Sequence, residues 1–162
     1  LTAGLSPLGM RLNQPVPHMF GSFGDHWRHP HSSLAKLVRA YRTPDSRLAV
    51  WGWLSSVYVE SVVPQAARDT HTETSISFSP RREAYRERYL EDIRQSQPDF
   101  FVDAVGPSSH YFLRRAESAH ETFPALAEYV SANYREVAEL GYARLFVSNR
   151  LLALHGDQPP PA

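Results

Sequence analysis

Six side chains carry most of the chemistry this sequence offers: Trp53, Tyr58, Arg68, Asp69, His71 and Asp103. An arginine can fork onto a phosphate or carboxylate, and an indole or phenol ring can stack on a sugar. The set therefore suits a phosphorylated or glycosidic ligand. The same residue types also serve plainer ends. Arg68 and Asp69 can pair to close their own loop, Trp53 and Tyr58 can be core, and Asp103 can cap the turn after its strand.

A second cluster is Asp25-His26-Trp27-Arg28-His29-Pro30-His31. Imidazoles this close could hold zinc or nickel, but a site needs three or four converging ligands, and Pro30 interrupts the helix that would bring His26 and His29 to one face. No metal and no cofactor is expected. Gly52 and Gly106 each follow an apolar run, as phosphate-binding turns do. Neither sits in a G-x-G-x-x-G or P-loop pattern, and no G-x-S-x-G elbow occurs, so dinucleotide binding and serine hydrolysis have no sequence signal.

The elements that would position these residues follow from periodicity. Residues 31–42 read as a helix, with Ser32 or Ser33 as N-cap and Leu34, Leu37, Val38 and Tyr41 on one face. Leu48-Ala49-Val50-Trp51 reads as a buried strand that turns at Gly52 into a short helix ended by Pro64. Residues 65–69 are expected to add a strand, and 70–79 a long loop. The longest helix is expected from Ser79-Pro80, with Ser79 as N-cap and Tyr85, Tyr89, Leu90 and Ile93 as its buried stripe. Residues 99–105 read as a second buried strand. Phe123-Pro124 opens a further helix, with Leu126, Ala127, Val130 and Tyr134 on its face. Residues 135–147, turning at Gly141-Tyr142, read as an antiparallel hairpin.

Alternating strands and helices predict an α/β fold: a three-layer, Rossmann-like sheet, parallel in its middle, with a C-terminal antiparallel hairpin. Residues 1–30 read as an irregular arm packing on the domain, 31–150 as the single α/β domain, and 151–162 as a disordered Pro-rich tail. Ligands of such sheets sit beyond the C-terminal ends of parallel strands. That rule gathers the Gly52-Trp53 turn, the loop through Arg68 and His71, and the loop after Asp103 onto one rim.

Composition sets outer limits. The chain has 162 residues, enough for one domain with a core, since a domain near this size buries about two-thirds of its unfolded surface. Seventeen basic and seventeen acidic side chains cancel, which argues against a nucleic-acid footprint. Without cysteine there are no disulfides and no thiolate metal sites. No apolar run approaches the roughly 20 residues that span a bilayer.

The pattern Val50-Trp51-Gly52-Trp53, then Tyr58, then Ala67-Arg68-Asp69 and His71-Thr72, resembles the extracytoplasmic C-terminal region of bacterial polytopic glycosyltransferases of family 39 type. These are GT-C enzymes related to protein mannosyltransferases and aminoarabinose transferases. The later motifs Tyr85-Arg86-Glu87-Arg88-Tyr89-Leu90-Glu91-Asp92-Ile93-Arg94 with Pro98, and Phe100-Phe101-Val102-Asp103-Ala104-Val105-Gly106, continue the likeness over residues 47–147. Ser55 and Ala67 depart from it, standing where the family often has Pro and Thr. The resemblance implies a fragment whose membrane spans lie upstream, and a parent that transfers sugar from a polyprenyl-phosphate carrier. The catalytic carboxylates would then lie outside this chain. It would be a non-catalytic accessory domain on the periplasmic side, with the membrane domain of the same polypeptide and a glycan or lipid-linked sugar as partners. From the residues alone, a free-standing α/β enzyme or binding module for a phosphorylated or nucleotide ligand stays open, as does a protein-interaction module.

Overall fold

The structure is a computed structural model that describes residues 32–155. The expected arm over 1–30, its histidine cluster, and residues 156–162 of the expected tail lie outside the described residues.

Helix α1, Ser33–Tyr41, is capped by Ser32, whose hydroxyl accepts from Ala35 N at 3.2 Å. It buries Leu34, Ala35, Val38 and Tyr41; of the stripe expected from spacing, Leu37 is only partly buried, and Ala35 is buried in addition. Strand β1, Leu48–Gly52, and helix α2, Ser56–Ser61, follow. Then come a short helix α3, Glu73–Ile76, the long helix α4, Arg82–Ser96, and strand β2, Phe100–Ala104. After β2 are α5, Arg115–Ser118, a 3-10 turn, His120–Thr122, and α6, Pro124–Asn133. The hairpin β3, Tyr134–Leu140, and β4, Ala143–Ser148, runs into the last helix α7, Asn149–His155.

The four strands form one mixed sheet in the order β1-β2-β4-β3. β1 and β2 are parallel, with Trp51 opposite Asp103. β4 lies antiparallel to both β2 and β3, placing Arg144 opposite Asp103 and leaving a register shift between Glu136 and Ala138. The expected parallel centre is therefore corrected: one pair is parallel, with β1 at the edge, and the hairpin adds to β2 with β4 inside the sheet and β3 at the other edge. Side chains alternate in direction along a strand. Ala49, Trp51, Phe101 and Phe146 join one core cluster with Tyr89, Leu90 and Ile93 of α4 and Leu126 and Val130 of α6. Leu48, Val50, Phe100, Val102, Leu145 and Val147 join a second with residues of α1, α2 and α7. Covering both faces explains why β1 and β2 are buried at every position and read as unbroken apolar runs.

Five further expectations are corrected. Residues 65–69 form no strand: Gln65 makes an isolated bridge to Leu48, and the chain then leaves, because Arg68 and Asp69 are drawn to carboxylate and guanidinium partners on α4. The loop over 70–79 contains α3. Ser79 caps the turn ahead of α4 rather than the helix itself, accepting from Arg81 N at 3.2 Å. In the buried stripe of α4 it is Arg86, not Tyr85, that joins Tyr89, Leu90 and Ile93; its guanidinium donates to Ser75 O at 2.9 Å and lies over the Phe123 ring. Finally, 151–155 belong to α7, which holds Leu151 and Leu152 in the core, so the domain runs past 150. Among the described residues no helix is long and apolar enough to cross a membrane.

Candidate functional site

The rim assembles at the C-terminal end of the parallel pair. β1 ends on Gly52 at φ +102°, and a Cβ there would sit 2.9 Å from Ala104 O of the neighbouring strand. Only glycine meets both demands. Its N–H donates to Thr72 Oγ1 at 2.7 Å, and Thr72 N donates back to Gly52 O at 3.0 Å, pinning the loop of His71 to the strand end. Trp53 then stacks on His71 with ring centroids 4.2 Å apart and an interplanar angle of 16°. Tyr111, from the loop after β2, stacks on Trp53 at 5.7 Å. Three loops thus meet on one rim, joined by rings. Tyr111 belongs to this set although its sequence context, Ser-His-Tyr-Phe, gave no sign of it.

The charged candidates face elsewhere. Arg68 grips Asp92 of α4 with Nη2 at 2.7 Å and Nε at 2.9 Å, and its backbone N–H adds a third donor at 3.0 Å. Burial alone would raise the Asp92 carboxyl; the bonds and charge of Arg68, with Arg88 behind, hold it below the usual range. Asp69 accepts from Arg88 at 2.6 Å. Arg68 and Asp69 do close the loop, each against α4 and not against one another. Tyr58 packs with the second core cluster, on the face opposite the Asp103 side chain, and burial pushes its phenol up. It is not part of the rim.

Asp103 is the centre of a separate constellation. Fully buried, it accepts from Val105 N at 3.1 Å on Oδ1, which is the turn cap expected of it. Oδ2 takes three more bonds: His120 N at 3.0 Å, His120 Nδ1 at 2.6 Å and Arg144 Nη2 at 2.6 Å. Arg144 in turn forks onto Glu121, with Nη1 to Oε1 at 2.6 Å and Nη2 to Oε2 at 2.8 Å. The His120 ring is wedged edge-on against Phe101 and Phe146. Burial would raise the Glu121 carboxyl, but the Arg144 bonds, a backbone N–H and the charges of His120 and Arg144 outweigh it and hold the group at about 2.

An ionised carboxylate only accepts hydrogen bonds, so His120 Nδ1 is the donor to Asp103. Asp103, His120 and Glu121 bring ligand atoms within 4.8 Å of one another, a spacing a cation could span, but the Arg144 guanidinium already neutralises both carboxylates. The sequence signal for Arg144 was present: it is the one charged residue in the apolar run Ala143-Arg144-Leu145-Phe146-Val147, and register puts it across from Asp103. His120 and Glu121 carried no such signal. No protein-family model, curated protein or solved structure matches this chain.

Proposed function

We propose that this chain is a non-catalytic, extracytoplasmic accessory domain of a membrane glycosyltransferase-like protein, lying on the periplasmic face of the cytoplasmic membrane. The parent would transfer sugar from a polyprenyl-phosphate carrier, and its membrane domain would be the partner on which this domain packs. One observation supports the non-catalytic part. Arg68, Asp69 and Asp103, the charged groups a reaction would need, are each satisfied by partners within the domain. The part-exposed groups at the rim are instead the rings of Trp53, His71 and Tyr111, which suit recognition of a glycan or lipid-linked sugar more than turnover. The finer fold reading, a three-layer and Rossmann-like arrangement, is supported by the two core clusters on opposite sides of the sheet.

Fractionation of source cells, blotted with an antibody against this domain, tests the proposal. A membrane-bound band much larger than 18.4 kDa is expected. A band of this size in the soluble fraction overturns it.

A further inference from the structure

A cleft of about 390 Å³ lies at the end of the sheet away from the rim, where α4 and α6 finish and α7 begins. Two arginines line it, Arg94 and Arg150, and no carboxylate does. Contacts with the cleft wall place both guanidinium groups. Arg94 lies over the Tyr129 ring, 6.0 Å from its centroid, and has no ion-pair partner among the described residues. Arg150 donates from Nη2 to Gln97 O at 3.4 Å and to Asp99 Oδ1 at 2.7 Å. Asp99 is itself buried and held by Ser46 Oγ at 2.8 Å, so it fixes the Arg150 head, while Nη1 and Nε carry no bond among the described residues. Helix C-terminal ends are ordinarily partly negative and repel an anion. Here carbonyls at the two ends and in the turn after α4 are taken up internally: Ile93 O by the Tyr129 hydroxyl, Tyr129 O by Asn133, Ala132 O by Asn149 and Pro98 O by the Tyr134 hydroxyl.

We propose that this cleft binds a small organic oxyanion, a carboxylate or phosphate carried on a hydroxylated body, with the oxyanion taken by Arg94 and the open edge of Arg150. Asp99 balances Arg150, so Arg94 supplies the net positive charge while both guanidinium groups supply donors. A cation would be repelled by Arg94, and a neutral polyol would gain no charge-assisted bond. A bare ion fills little of a cleft of about 390 Å³. The rest of the wall includes the rings of Tyr129 and Tyr134 and the amides of Gln97, Asn133 and Asn149, which suit a body bearing hydroxyls. The rim lies at the opposite end of the sheet, so binding here is independent of the accessory-domain reading, which fractionation decides.

The test is a titration of the full 162-residue chain at neutral pH, read on the backbone amide resonances of Asn133 and Asn149, with the Trp53 indole N–H reporting on the rim. Glucose phosphorylated on its primary hydroxyl and glucuronate are the probes, one for each source of the charge, and glucose is their neutral analogue. At least one of the two anions should shift the Asn133 and Asn149 signals saturably, and glucose should not; the anion that does so identifies the source. Arg94 is exposed and has no ion-pair partner among the described residues, so Arg94→Gln keeps the fold, and it should weaken binding about five-fold. Unmoved Asn133 and Asn149 signals at about 20 mM of both anions, above the millimolar range of weak specific sites, overturn the proposal. So do equal shifts with glucose, shifts confined to Trp53, or unchanged affinity in the Arg94→Gln variant.

Discussion

A carboxylate in an apolar interior is tolerated only when its charge is answered, and removing one partner of such a set leaves the other exposed to the low dielectric. Asp103 is answered by Arg144, which also pairs with Glu121, whose side chain is 52% exposed. The folded Glu121 carboxyl lies at about 2, below its ordinary 4.5. A depressed carboxyl adds stability that is present above about pH 4.5 and is lost as the pH falls through about 2. After discounting for its exposure, that contribution is about 1 kcal/mol. Urea unfolding at a series of pH values should therefore show Glu121→Gln less stable than the parent at pH 7, with the gap closing toward pH 2. A constant gap across that range would mean that the Arg144 pairing is not its source. Legibility at this scale followed contrast. Asp103 stood out as a charge inside an apolar run and Arg144 offered the same contrast without being read, whereas His120 sits in Ser-Ala-His-Glu-Thr, where nothing sets it apart. Arg68 and Asp69 were legible as a loop closure, but their partners Asp92 and Arg88 lie 24 and 19 residues away on a helix whose rotation the sequence does not state.

Elements were legible where periodicity and caps agreed, as in α1 and the β3–β4 hairpin, and were misread where a short polar segment was judged by its neighbours. Residues 65–69 were read as a strand following the helix that Pro64 ends, yet only Gln65 reaches Leu48 before α4 captures the chain. The two positive-φ glycines at the turns make the element scale testable. Gly52 combines φ +102° with a Cβ position 2.9 Å from Ala104 backbone oxygen, so neither torsion nor space admits a methyl group. Gly141 has φ +64° and nothing within 4 Å of a Cβ, leaving only the left-handed backbone term. Gly141→Ala should cost about 1 kcal/mol, and Gly52→Ala about 3 kcal/mol or more, because backbone on both sides must shift. Denaturant midpoints of the two variants compare these directly. Equal losses would show that β1 and β2 are not locked together at the rim.

At the scale of the whole molecule, strand positions were readable but strand neighbours were not. An apolar run announces burial on both faces, as in β1 and β2, without saying which strand lies beside it or in which direction. Here β4 takes the central place beside β2, where its apolar residues complete both clusters and Arg144 meets Asp103. The two clusters share one sheet: Phe101 points into the first and Leu145 into the second, and both are fully buried. Neither cluster can melt while the other keeps β2 and β4 in register, so residues 32–155 should unfold in one step. Phe101→Ala and Leu145→Ala, on opposite faces, should each lower the whole transition by about 2–5 kcal/mol. The measurement is urea unfolding followed at once by far-ultraviolet circular dichroism and by tryptophan fluorescence, to which the fully buried Trp51 of the first cluster contributes. Coincident curves in all three proteins are the expected result. If Leu145→Ala separates the two signals, the faces melt independently, and the sheet is only a wall between two cores.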